Sequence, residues 1–565
     1  MLSAVWKSRP SLARAMPAET RLAQLLLAVL LLLLSLAICL PLLCLLSRAV
    51  QDRDGGFVGL ANVWQVLHTP GLWRAATHSV SLAMTVCLIV TPLAFAFAWS
   101  LTRTRVPGRG WWRQIGLSPL LAPSLMPGIS LVYLFGNQGL IKDWMPGGTV
   151  YGFWGMVMGE SFYTFPYALL ILSTALASAD GRLYEAGRVL GAGALRRFLT
   201  ITLPGARYGL VSAALVVATL VMTDFGVPTV LGGDVNVLAT EAYKQVIGQQ
   251  NFPRGAVIGL MLLLPAVLSF GIERQLARRQ QASMTARSTP YQPARHRWRD
   301  ALAALLLWLV SGALLGLLAV GVCASLIRYW PYNLSLTWQH YQFASSDGSG
   351  WHAYFNSLQM AAATAVLGTM LVFLGAYVCE KMTLAPMLRA LLRLLAMLPM
   401  AVPGLVLGLG YVFFFNHPAN PLNVLYGGMT LMVMCTIAHF YTTAHLTVTT
   451  ALRQLDGEFE SVAASLKVPF WVTLWRVTLP VCLPALVDVA RFYFVSAMTT
   501  LSALIFLMSP AHSVAAVSII TLDDSGDTAA AAAMSTLVVL TSLLATVLLG
   551  ALAQRVRSGT QRSSR

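Results

Sequence analysis

The sequence predicts an all-α membrane protein with about twelve transmembrane helices in two tandem six-helix halves. Three observations predict it. The chain is 57% apolar and only 10% charged over 565 residues, and its mean hydropathy is +0.70. Apolar runs long enough to cross a bilayer as helix recur along its whole length. Landmarks of one half return in the other at a near-constant offset.

Runs of spanning length fall near 22–46, 78–101, 113–136, 150–178, 207–231 and 255–273, then near 302–326, 356–380, 391–415, 424–450, 481–508 and 529–553. Each is expected to be a helix, because lipid offers backbone polar groups no other partner. The first run is too long for a signal-peptide core and lacks a clear cleavage site, so it reads as an uncleaved span. "ERQLARRQQASMTARSTPYQPARHRWRD", 273–300, is a polar, basic linker between the sets. The resulting organisation is 1–75 (tail, first span and outer segment), 76–274 (first core), 275–300 (linker), 301–352 (seventh span and outer segment), 353–554 (second core) and 555–565 (tail).

The net charge of +17 is a topology signal. With the N-terminus inside, only seven of the 38 Lys and Arg residues face outside, and Arg491 lies within a span. This bias places both termini in the cytoplasm and removes the case for a nucleic-acid partner. The seven cysteines are scattered through apolar runs without a CxxC pair, so neither a disulfide framework nor a metal site is indicated.

Pro127-Gly128 corresponds to Pro403-Gly404 and Leu203-Pro204 to Leu479-Pro480, each 276 residues later, and His78-Ser79 to Asn356-Ser357 after 278. An even number of helices per half gives both copies the same orientation, hence a pseudo-twofold axis along the membrane normal.

Between the fourth and fifth spans stands "EAGRVLGAGALRRFLTITLP", 185–204. Glu185-Ala186-Gly187, Gly191, Ile201, Leu203 and Pro204 keep the spacing of the EAA motif, and this segment closely resembles that of binding-protein-dependent ABC importer permeases. Only Gly187 departs, standing for Ala. The residues suit a short amphipathic helix, a sharp turn at Gly191 and a return to the membrane, with Pro204 starting the fifth span. Small Ala186 and Gly187 are expected to let another protein approach closely. The second copy, "SVAASLKVPFWVTLWRVTLP" at 461–480, is degenerate: Ser461 and Ala463 hold the first and third positions, Lys467 replaces the glycine, and Leu479-Pro480 remains. A less sharp turn is expected there.

The resemblance covers nearly the whole chain and implies a type I importer core in each half and an inner-membrane location. The loops then become coupling helices for a cytoplasmic ATPase homodimer, and a periplasmic solute-binding protein delivers the cargo. None of the five lysines follows glycine, so none can serve a P-loop. ATP and Mg are accordingly expected on the partner, with no cofactor on this chain and no covalent chemistry. "LLAPSLMPGISLVYLFGNQGL" (120–140), "TDFGVPTVLGG" (223–233), "EAYKQVIGQQNF" (241–252) and "DDSGDTAAAAAMSTL" (523–537) look like 2-aminoethylphosphonate permeases, which makes that solute the first expectation. Iron(III), thiamine or another small anion is the alternative within the family, and a secondary transporter is the alternative outside it. No HExxH, GxSxG or paired acids on one loop supports a membrane enzyme.

Ionisable residues inside spans mark either a solute path or internal bracing. Glu160, His439, Asp488 and Arg491 are the candidates for the path, with His445 beside them. Asp488 and Arg491, spaced i,i+3, can equally neutralise each other. Asp224 is placed at the outer mouth as a cap or gate. The outer segments 232–253 and 509–528, with Asp234, Glu241, Asp523, Asp524 and Asp527, are either a docking face for the binding protein or ordinary solvated loops.

Overall fold

The computed structural model describes residues 18–145, 148–283, 289, 291–343, 350–382, 385–456, 458–466 and 468–563. Among them, nine helices are long and apolar enough to cross a membrane, or up to eleven if each of two bent pairs counts as one span. In the first half the helices are α1 (Arg21–Ala49), α2 (Pro70–Arg103), the bent pair α3 (Arg109–Leu121) and α4 (Leu125–Phe135), and α5 (Phe153–Ala177). α6 (Gly181–Val189), α7 (Ala194–Thr223), α8 (Gly226–Leu231), α9 (Leu238–Tyr243) and α10 (Phe252–Ser283) follow. The 25-residue α5 has spanning length, but Glu160, Tyr163, Thr164 and Tyr167 dilute its apolar character.

The second half repeats this order: α11 (Arg297–Leu326), a hairpin of β1 (Ile327–Tyr329) and β2 (Asn333–Leu336), α12 (Gly350–Lys381), and the bent pair α13 (Pro386–Ala401) and α14 (Gly404–Phe415). Then come α15 (Met429–Arg453), α16 (Glu458–Ser465), α17 (Phe470–Thr499), α18 (Ala515–Asp524) and α19 (Thr528–Ser563).

The first helix of each half crosses to the other: α1 packs on α13 and α14, and α11 on α4. Small residues permit these approaches. A Cβ on Gly410 would lie 2.7 Å from the Pro41 carbonyl oxygen, and one on Gly321 would lie 2.7 Å from Met126 Cε. The landmark pair at the start of α2 and α12 also gains a role. Ser79 Oγ accepts the Leu238 amide at 2.8 Å and Ser357 Oγ accepts that of Ala515 at 2.7 Å. His78 Nδ1 donates to the Asn236 carbonyl at 3.1 Å and Asn356 Nδ2 to that of Ser513 at 3.0 Å. The repeat therefore extends to individual hydrogen bonds.

Several expectations are corrected. The segments 113–136 and 391–415 are not straight spans but bend by 97° and 113°. Prolines cause this: Pro119 and Pro399 open short 3-10 turns, and Pro123 and Pro403 follow at the corners. The structural equivalent of Pro403-Gly404 is thus Pro123-Ser124, 280 residues earlier, and the match to Pro127-Gly128 is coincidental. The bonds Ala122 N–H to Pro119 O and Val402 N–H to Pro399 O, both 3.2 Å, show the same register. The spans expected to reach 231 and 508 stop at Thr223 and Thr499, where the chain becomes extended at Asp224 and Thr500. The linker expected from 275 begins later, because α10 continues to Ser283. Pro204 does not start its span either. α7 runs through it from Ala194, with a π-helical turn at Phe198–Thr202 that recurs at Leu474–Thr478, one extra residue loosening the ladder where proline lacks a donor.

Candidate functional site

The first loop is built by capping. Asp180 Oδ1 accepts the Arg182 amide at 3.0 Å and starts α6. These backbone bonds hold its carboxyl below the ordinary aspartate range. The helix ends at Gly191, whose φ of +72° suits glycine, and Ala192 N–H closes the turn on the Gly187 carbonyl at 2.9 Å. Gly187 faces inward: its Cβ would meet Ile201 Cδ1 at 3.1 Å and Arg197 Cγ at 3.4 Å. That corrects its expected role. The motif's small third position admits the chain's own return segment, which also explains Ile201. Glu185, Ala186, Leu203 and Pro204 are exposed. The outward apolar surface is Leu183, Val189, Leu190 and Leu195, with Val189 and Leu190 at 88% and 83% exposure. An exposed apolar patch of that kind suits a protein partner.

Residues outside the motif fasten this helix. Tyr184 donates its hydroxyl to Thr202 Oγ1 at 3.0 Å. The Arg103 guanidinium lies 5.0 Å from the Tyr184 ring centre and 4.7 Å from that of Tyr291, and its Nη2 donates to the Leu176 carbonyl at 2.7 Å. The linker contributes Tyr291 and also Thr289, whose carbonyl accepts the Gly181 amide at 2.8 Å. No sequence pattern announced these partners, because they lie up to 188 positions apart.

The second loop closes on the same pattern. Val468 N–H bonds the Ala463 carbonyl at 2.9 Å, matching Ala192 and Gly187, so the loop closes over the same span as the first. Lys467 itself lies outside the described residues. Ser461 and Pro480 are exposed and Leu479 is half-buried. Phe459, Val462 and Leu466 supply the exposed apolar surface. Here the fastening is ionic, Lys381 Nζ to Glu460 Oε1 at 3.1 Å.

Within the membrane the candidates separate. Glu160 is fully buried, with neither carboxyl oxygen hydrogen-bonded, and Asp224 lies within electrostatic reach of it. Asp224 is buried at the break between α7 and α8, where it accepts the Val227 amide at 2.8 Å. His439 sits against Gly404, its Nδ1 unpartnered, and His445 stacks on Tyr441. Asp488 and Arg491 lie elsewhere: Asp488 bridges Arg491 at 3.1 Å and Arg557 of α19 at 2.8 Å, all partly exposed.

The outer segments are not plain loops. Residues 238–243 and 515–524 are helical and largely buried on one side, leaving Asp234 and Asp524 exposed. Burial, then the neighbouring Asp524, pushes the Asp523 carboxyl up to about 6. Nearby, a cavity of about 470 Å³ is lined by Tyr133, Asn137, Tyr151, Arg328, His340 and Asp527. It joins the two halves.

Two copies of one helical unit, inverted neither in order nor in orientation and each with a capped, apolar-faced loop after its fourth helix, define a membrane transport subunit built twice. The profile of the family described as binding-protein-dependent transport system inner membrane component matches residues 91–282 and again 368–558. The chain belongs to that family, as a fused, double-length ABC importer permease of the inner membrane. FbpB 1 of Haemophilus influenzae, whose name assigns it to ferric transport, is 27% identical over 81% of this chain and 73% of its own length. The ferric transport system permease protein FbpB of Actinobacillus pleuropneumoniae is 25% identical, covering 86% of this chain and 72% of its own. The molybdenum transport system permease protein ModB of Escherichia coli K12 is 27% identical over 36% of this chain and 93% of its own length, one half's worth.

Proposed function

We propose that this chain forms the whole pore of an importer that moves a small solute from periplasm to cytoplasm. Two copies of a separate ATPase, holding the ATP and Mg, engage the two loops from the cytoplasm, where both termini also lie. A periplasmic binding protein delivers the solute against the outer segments. One observation carries the reading: the same closed turn with an apolar outer face occurs twice, at Gly187–Ala192 and Ala463–Val468. Closure of the ATPases would favour one pore state over the other through these contacts.

For the cargo, iron(III) comes first, because relatives matched over more than four-fifths of the chain carry ferric names. 2-Aminoethylphosphonate rests on the likeness of four short stretches alone. Co-expression with a partner ATPase and binding protein from the same organism, followed by uptake of labelled iron(III) citrate and labelled 2-aminoethylphosphonate, separates them. Iron uptake that requires an intact ATPase supports the proposal, and phosphonate uptake instead restores the other cargo. Uptake that survives loss of the ATPase and collapses with the proton gradient would make the protein a secondary transporter.

A further inference from the structure

We infer that the first half alone carries an oxygen-lined site for the positively charged centre of the cargo, formed by Glu160, Asp224, Tyr163 and Ser124 where two helices are broken inside the bundle. The inference deepens the proposed import function and names the chemistry the pore recognises.

Three elements meet there. The bend between α3 and α4 supplies Ser124, whose hydroxyl packs against Gly226, two residues from Asp224. The break between α7 and α8 supplies Asp224 itself. α5 supplies Glu160 with Tyr163 and Tyr167 on the same face, the two tyrosine rings edge to face with centres 6.0 Å apart. Close packing sets the arrangement: a Cβ on Gly159 would come within 2.7 Å of Val227 Cγ1, and one on Gly226 would collide with Ser124 Oγ. Interrupted helices inside a bundle are where transporters place solute sites, since backbone and side-chain polar groups are freed there.

Glu160 lacks what a buried carboxylate requires. Glu160 is 0% exposed and has no partner on either oxygen, and Asp224 is a second acid beside it. A buried charge is stable only when paired or coordinating. Two carboxyls, phenol hydroxyls and a serine hydroxyl form a hard oxygen donor set, suited to a metal cation or an alkylammonium and not to an anion. The second half shows that the fold does not need these acids. Where Glu160, Asp224, Tyr163 and Ser124 stand, the equivalent positions hold Thr436, Thr500, His439 and Gly404.

The test uses the full chain. In proteoliposomes with ATPase and binding protein, Glu160→Gln and Asp224→Asn are each expected to reduce uptake of the transported solute at least tenfold, while Glu160→Asp recovers part of it. ATPase co-purification reports assembly. Glutamine has the shape of a protonated glutamate, so wild-type uptake in Glu160→Gln would overturn the site and leave Glu160 a neutral packing group. Parallel equilibrium dialysis of the detergent-solubilised chain with labelled iron(III) citrate and labelled ethanolamine distinguishes metal from ammonium. Loss of bound label in Glu160→Gln supports the site. Equal binding by both chains, or no binding of either probe to the wild type, overturns it even if the cargo proposed above proves wrong. Neither solute being imported by the wild type would refute that cargo reading and leave the dialysis to decide the site.

Discussion

In the first half a cation lying against two neighbouring aromatic rings fastens the loop helix; in the second an ion pair does. Arg103 and Lys381 are 278 positions apart, the same spacing as His78 and Asn356, and each is the last residue of the long helix that carries that landmark. One reaches Tyr184 and Tyr291, the other Glu460. The fold thus asks for a tether between α2 or α12 and its loop, and leaves the chemistry of the tether open. The linker can brace only the loop it reaches. A buried cation–π tether is desolvated and resists salt, whereas a partly exposed ion pair is weakened by it.

The sharpest way to break this comparison is at the turns. Gly187→Leu drives a side chain into Ile201 and Arg197, and Gly191→Val forces a β-branched residue into left-handed backbone at a cost of about 1–2 kcal/mol or more. Both are expected to abolish transport and ATPase co-purification while the permease still accumulates in the membrane. Lys467→Val is expected to cost far less, since it replaces a residue that already bears a side chain; an equal loss would make the two turns equivalent in function as well as in closure.

A smaller effect is expected at the tethers. Arg103→Gln should weaken ATPase co-purification about thirtyfold, from the roughly 2 kcal/mol of a desolvated cation–π contact, at both 50 mM and 500 mM salt (about those values bracket the screening range). Glu460→Gln should weaken it only about threefold, from less than about 1 kcal/mol, and only at the lower salt. Salt sensitivity of the same size in both would undo the distinction drawn between the halves.

Smaller still is the effect of Arg491→Gln. Asp488 keeps Arg557 at 2.8 Å, so uptake at limiting solute is expected to fall less than about twofold, in keeping with partly exposed ion pairs. A tenfold fall with assembly intact would return Arg491 to the solute path.

The least effect concerns pH at the outer end. The folded chain holds a proton on Asp523 up to about pH 6, above the ordinary aspartate value of about 3.9. A raised acid favours the folded state on the acid side, and that contribution is lost as pH rises between those two values. Asp523→Asn should therefore raise the melting temperature by about 1–2 °C at neutral pH and leave it nearly unchanged near pH 4. A larger gain at the acidic end would contradict the burial of this carboxyl.

The sequence by itself determined the class of fold, the number of halves and the place of the two EAA-like loops. Those depend on hydrophobic length and on residues close together in the chain: apolar runs, the glycine of a turn, the fixed spacing from Glu185 to Pro204. Tertiary structure alone decided where spans break, because a proline such as Pro123 bends a helix only if its neighbours fill the corner. It reassigned the Pro403 repeat from Pro127 to Pro123 and turned Gly187 inward onto Ile201. It separated Asp488 and Arg491, braced by Arg557, from Glu160 and Asp224, which it brought together. Local pattern records which residues can be buried in a membrane; which of them face one another depends on the packing of helices distant in sequence.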